Sequence, residues 1–405
     1  MRIKSFKGLV PGAGRVESVA AVPYDVVDRS EAGKLAANNP DSLLHVSRAE
    51  IGLPDSVDPY SEEVYATAKR NFHRLLDEGV LVREAEPCMY LYQQNMDDHS
   101  QVGLVAVAHI DDYKNQIIRK HEKTRPAKED DRTLIASVLG AHLGPVFLTY
   151  RSQIGIDAEI CAIMQSRVPD TRFVAPDGIG HAIWRVPGGG EFGKLFESIP
   201  ACYVADGHHR SASAARVGDE RQAANPNHSG EEDYNWFLVV LFPADQLRVF
   251  PYNRVVADLN GHDEHSFIAE VGRTFAVSAT DSGTVSVPGQ AKMYLAGKWH
   301  ELLWKGEDGD PVDSLDVSVL QDRLLGPILG VQDPRTDSRV DFVGGIRGNS
   351  ELELRVDSGR DAVAFSMHQV SVDQLMEVAD AGRIMPPKST WFEPKLRSGL
   401  FIHTF

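Results

Sequence analysis

The stretch Ala201-Cys202-Tyr203-Val204-Ala205-Asp206-Gly207-His208-His209-Arg210-Ser211-Ala212-Ser213-Ala214-Ala215-Arg216 decides the fold class. Its apolar start predicts a central strand. Gly207 predicts a tight turn, and the small residues after it predict a helix packed close to a sheet. His208, His209 and Arg210 then fall in the first helical turn, where backbone N–H groups lack intrahelical partners and the dipole is positive. Such an end is suited to an anion, phosphate above all. Gly207 lets a phosphate approach without a Cβ in the way, Arg210 can clamp its oxygens, and the histidines add donors. Asp206 fits this picture as a helix cap or as a ligand of Mg²⁺ bridging to phosphate. The plain structural alternative is an Asp-capped helix with surface histidines.

Working outward, strands are predicted at Met89–Gln93, Gly103–Ile110, Pro145–Tyr150, His181–Val186, Cys202–Ala205 and Phe237–Phe242. Helices are predicted at Asp131–Leu139 and Asp157–Ser166, and 217–235 reads as a polar surface loop. Upstream, residues 1–60 are turn-rich, and a helix over 61–78 has Ser61 and Gly79 as its caps. Past 260 come a helix at Ser266–Thr274, short strands at Ala291–Leu295 and Glu301–Lys305, and a helix at Asp316–Leu325. The strand Ala362–Met367 and a Ser371-capped helix ending near Gly382 follow. The fold class is α+β, with an N-terminal elaboration over 1–85, a core over 86–260 and a C-terminal α+β region over 261–405.

The chain has 405 residues and a formal net charge of −16. That acidic excess argues against an extended nucleic-acid surface, which needs a basic face. No apolar run is long enough to span a bilayer, and the N-terminus carries no signal-peptide pattern, so a cytoplasmic protein is expected. Cys88, Cys161 and Cys202 lack metal-ligand spacing and read as buried thiols of a reducing compartment. No Walker loop, zinc spacing or dinucleotide fingerprint is present.

A second constellation is the alternating charged run from Lys120 to Arg132, with a helix N-cap expected at Asp130 or Asp131. It is either a solvated loop or a functional segment. In the functional reading Glu122, flanked by Lys123 and Arg125, stays ionised as a general base. Lys123, Arg125 and Lys128 then neutralise a transferring phosphoryl group. Lys388, on the turn Met385-Pro386-Pro387-Lys388-Ser389-Thr390, is a further phosphate candidate, although a C-terminal clasp is favoured there. The turns Pro23-Tyr24-Asp25 and Gln332-Asp333-Pro334-Arg335 are weaker signals.

The segment Ala205–Ala214 resembles the phosphate-binding signature of the ParB/sulfiredoxin-like superfamily, and its Asp-Gly-His-His-Arg form is similar to that of the free serine kinases. Over its full length the chain also resembles a widespread bacterial and archaeal family of unknown function, through Val22–Val26, His121–Thr124, Asp206–Arg210 and Met385–Thr390. The kinase resemblance implies a ParB/sulfiredoxin-like mixed-sheet core. It also implies a nucleotide-phosphate site at Asp206, His208, His209 and Arg210, with Glu122 as the base. The expectation is a Mg²⁺-dependent phosphotransferase moving a phosphoryl group from ATP or ADP to a small hydroxylated metabolite, serine or serine-like. A nucleotide-responsive binding module and a phosphomonoester hydrolase are the alternatives.

Overall fold

A computed structural model describes residues 1–305 and 309–405. The chain divides into two compact units. The first comprises 1–120, 124–247 and 394–405; the second comprises 121–123 and 248–393. This grouping differs from the three-part reading. Residues 1–85 do not separate from the core, and the last twelve residues return to it.

The first unit is built on a nine-stranded mixed sheet. Its strands are β1 (Ile3–Lys4), β2 (Cys88–Met96), β3 (His99–His109), β4 (Ile118–Arg119), β5 (Val146–Tyr150), β6 (Thr171–Val174), β7 (Gly180–Pro187), β8 (Cys202–Asp206) and β9 (Trp236–Pro243). They run in the order β4-β8-β5-β9-β3-β2-β7-β6, with β1 pairing on β3. Only β4–β8 and β5–β9 are parallel. All six strands anticipated between 88 and 243 are present. Alternating residues such as Val146, Leu148 and Tyr150 share one core with Ile156, Ile160, Phe192 and Phe196, as a period of two requires.

The helices of this unit include α1 (Glu62–Asp77), α2 (Pro126–Leu139), α3 (Ile154–Ser166) and α4 (His208–Ala224). Several expectations need correction. α1 starts after Ser61 as expected, but the Ser61 side chain makes no capping bond. α2 begins five residues before the predicted Asp131, with Arg125 as N-cap and Pro126 in the first turn. Proline suits that position because its missing N–H has no helical partner to lose. Part of the expected 217–235 loop is helix, since α4 continues to Ala224. Gly218 explains why: a Cβ there would lie 2.4 Å from Ile110 Cδ1 and 2.9 Å from the Tyr234 carbonyl oxygen, so this turn is packed and not a surface excursion. Cys88 and Cys202 are buried, but Cys161 is exposed.

The C-terminal residues strap this unit. Ile402 exchanges two backbone hydrogen bonds with Leu9, Ser398 does the same with Ala21, and His403–Thr404 pairs with Ala141–His142.

The second unit carries a six-stranded antiparallel sheet formed by Ala276–Thr280, Lys298–Leu303, Gln290–Leu295, Val363–Met367, Tyr252–Val256 and Val340–Gly344, in that spatial order. The helix expected over Asp316–Leu325 is α-helical only to Leu320, and Gln321–Leu325 is a π-helical turn. Ser371 caps its helix with a full capping box, as read from the sequence. Among the described residues no helix is long and apolar enough to cross a membrane.

Candidate functional site

Strand β8 delivers the chain to Gly207, which holds φ 97° and ψ 29°. A side chain there would be strained, and its Cβ would meet Arg210 Nε at 3.3 Å and Val146 Cα at 3.4 Å. The helical ladder of α4 starts with Ser211 N donating to the Gly207 carbonyl. The amides of 208–210 therefore stand outside the ladder, at the positive end of a seventeen-residue helix. Buried Ser211, Ser213, Ala214 and Ala215 let that helix lie against the sheet, which fixes where its N-terminus points.

A second helix end meets this one. The Arg125 amide, at the N-cap of α2, donates to His209 Nε2 at 3.1 Å. Accepting that bond leaves the His209 proton on Nδ1 and the ring neutral. Farther along, Arg216 on α4 pairs with Asp130 on α2, and Arg221 donates to the Ser137 carbonyl at 3.2 Å. The partners 125/209, 130/216 and 137/221 ascend together, so α2 and α4 run parallel. Their like-signed ends are side by side, each equivalent to roughly half a positive charge. Each end favours an anion, a need that Glu129 in the first turn of α2 meets in part.

Asp206 does not cap the helix; the N-cap is Gly207, without a side-chain bond. The Asp206 Oδ2 instead accepts from Lys395 Nζ at 3.0 Å, and the Lys395 carbonyl accepts from Gln94 Nε2 at 2.9 Å. Arg210 turns inward, donating through Nη1 to the Pro145 carbonyl. His208 is buried and His209 half-buried. Lys128 reaches the Tyr60 hydroxyl at 2.8 Å. Glu122, Lys123 and Lys388 belong to the second unit. There Glu122 and Lys123 line a groove of about 430 Å³ with Asp322, Asp333 and Arg335. Lys388 stands 5.5 Å from the centroid of the Tyr252 ring.

Tyr24, Arg132 and Ser398 lie with Arg210 around one cavity. Arg132 stacks on the Tyr24 ring, its Cζ 3.8 Å from the centroid. Its Nε and Nη2 both donate to Asp131 Oδ2, at 2.9 and 2.6 Å. Asp131 Oδ1 also accepts from the Tyr65 hydroxyl at 3.0 Å. Burial, reinforced by the Asp25 carboxylate, pushes the Tyr24 hydroxyl pKa well above its ordinary value and keeps it protonated, against the opposing pull of Arg132 and Arg210. Ser398 packs over Gly144, where a Cβ would lie 2.6 Å from Ser398 Oγ and 3.4 Å from Arg210 Nη1. The Pro23-Tyr24-Asp25 turn was the one sequence signal for Tyr24. Lys395 and Ser398 gave none.

Residues 3–318 match the family described as "Protein of unknown function (DUF1015)". The chain belongs to the DUF1015 family. No curated protein matches the sequence. Among solved structures, this DUF1015 chain is similar to a free serine kinase in complex with AMP, with a TM-score of 0.36 and 11% identity, over 73% of this chain and 92% of that one. It is similar to SbnI with a C-terminal truncation from Staphylococcus aureus, with a TM-score of 0.38 and 13% identity, over 71% and 82%. A conserved hypothetical protein from Pyrococcus furiosus gives 0.34 and 12%, over 73% and 93%. Likeness at this level carries no argument about activity.

Proposed function

We propose that this protein binds a nucleotide through its phosphates at the joined N-termini of α2 and α4 and transfers a phosphoryl group to a small hydroxylated metabolite. The observation that carries the reading is the parallel helix pair. Two positive helix ends, first-turn amides and the Gly207 turn converge where both ends favour a polyphosphate. The resemblance of Asp206–Arg210 to the ParB/sulfiredoxin-like signature and to the free serine kinases supports the same assignment.

In this reading the amides of 208–210 and His208 hold the phosphates, and Arg125 and Lys128 add positive charge from the start of α2. A carboxylate such as Asp206 together with phosphate oxygens is a donor set that suits Mg²⁺, which would neutralise phosphate charge. The acceptor oxygen bonds to the terminal phosphorus as that phosphorus parts from the nucleotide oxygen, and the acceptor proton passes to a general base, the role that the serine-kinase resemblance gives to Glu122. The products are a phosphomonoester and the nucleotide shortened by one phosphate. Lys123 and Lys388 complete the candidate set, and serine or a serine-like acid is the first acceptor to offer.

The test is ³¹P NMR of the protein with Mg²⁺, ATP or ADP, and a pool of hydroxylated metabolites that includes L-serine. A new phosphomonoester signal that is absent with His209→Ala supports the transferase. Nucleotide binding without a new signal favours a nucleotide-responsive module. A signal change that needs no nucleotide favours a phosphomonoester hydrolase.

A further inference from the structure

Beside the helix pair, within the first unit, lies a cavity of about 50 Å³. It has room for roughly four water molecules, a liquid volume of about 120 Å³ that suits a two- or three-carbon acid. Its charged lining is Arg132 and Arg210, its hydroxyls include Ser213, and its apolar wall includes Ile135, Val146 and Phe237. No acidic side chain lines it. Asp131 acts on Arg132 from outside the lining, with its oxygens already taken by Arg132 and Tyr65.

The cavity holds polar groups that the protein leaves unsatisfied. Ser213 is 2% exposed, and its Oγ has no hydrogen-bond partner; Arg210 Nε has none either. Among the described residues Arg210 has no carboxylate partner, and its one hydrogen bond goes to the Pro145 carbonyl. A buried hydroxyl and an unneutralised guanidinium are each costly unless a ligand completes them. Two guanidinium groups and a hydroxyl in the lining of a small, largely apolar space suit a carboxylate on a short carbon chain. An inorganic phosphate would leave the apolar wall unfilled. An α-ammonium group would find no carboxylate to pair with, beside two fixed cations.

We propose that this cavity binds a short monocarboxylate lacking an ammonium group, of the 2-hydroxy-acid class, through Arg132, Arg210 and Ser213. That this acid is the phosphoryl acceptor rests on the transferase reading above; the cavity's chemistry does not. It shifts the expected acceptor from serine to its deaminated hydroxy-acid counterparts.

The experiment is isothermal titration of the full chain, without nucleotide, against glycolate, glycerate, L-serine, inorganic phosphate and the methyl ester of glycerate. A hydroxy acid binding at least tenfold more tightly than L-serine, phosphate or the ester is the expected result. Ser213→Ala removes a hydroxyl whose partner is the ligand, so it should weaken the acid several-fold while leaving thermal stability unchanged or raised. Arg132→Gln should weaken it at least tenfold. L-Serine or phosphate binding as tightly as the acids, silence from every acid, or full affinity in Ser213→Ala would each overturn the proposal. Acid binding without phosphoryl transfer in the ³¹P experiment would leave the cavity assignment standing and remove the transferase reading.

Discussion

His181 lies 1% exposed between two rings, with its centroid 4.7 Å from that of Phe173 and 5.8 Å from that of Tyr92. Its Nδ1 meets the Tyr92 hydroxyl at 2.8 Å, and its Nε2 lies 3.3 Å from Arg397 Nε, a donor that is always charged. Burial first and the Arg397 cation second push its pKa down to about 3, against a smaller opposing effect from Asp177. The folded value lies below the ordinary 6.5, so the unfolded chain takes up the proton first as pH falls. The stability is therefore fully present above about pH 6.5 and is lost progressively toward pH 3. Between pH 7 and 5 this one group removes about 2 kcal/mol from the first unit, at 1.4 kcal/mol per pH unit once the unfolded ring is protonated. Hydrogen exchange of peptides covering β7, read as an opening free energy at both pH values, measures the loss. In His181→Gln the baseline stability falls, but the pH-dependent difference should shrink by that amount. An unchanged difference, or a folded-state His181 resonance titrating near 6.5, would refute the reasoning.

Other expectations follow from the same geometry. Gly207→Ala should cost about 1–2 kcal/mol through its positive φ and should abolish nucleotide binding, measured by thermal unfolding and calorimetry. His209→Ala should lose nucleotide affinity, whereas Glu122→Ala should keep it and lose turnover; normal turnover in Glu122→Ala would remove that residue from the mechanism. Arg216→Ala breaks an exposed pair and should cost less than about 1 kcal/mol in denaturant unfolding. Lys395→Met leaves the Asp206 carboxylate without its ammonium partner beside the phosphate turn, so nucleotide affinity should fall more than in Arg216→Ala.

What the sequence made legible was local. The β8 strand, the Gly207 turn and the start of α4 could be read because a continuous apolar run, a glycine and small residues all pointed the same way. The start of α2 was hidden because Lys128 to Arg132 carry no apolar period, although Pro126 marked it. The second half of α4 looked like a loop because its polar side chains are spent on α2, through Arg216 and Arg221. The parallel pairing of α2 and α4 depends on contacts between residues about 85 apart in sequence, which no single-segment pattern encodes. Tyr24, Lys395 and Ser398 come from opposite ends of the chain, and only the folded first unit gathers them.

The closing strap sets an order of events during synthesis. Lys395, Arg397 and Ser398 follow roughly 150 residues of the second unit, which at about 5–20 residues per second take some 7–30 s to make. Until the last twelve residues are released, the first unit lacks the ammonium on Asp206, the cation against His181 and the hydroxyl over Gly144. A nascent chain thus carries the Asp206–Arg210 turn without its Lys395, Arg397 and Ser398 contacts until residues 394–405 emerge, and a product terminated before residue 394 never acquires them.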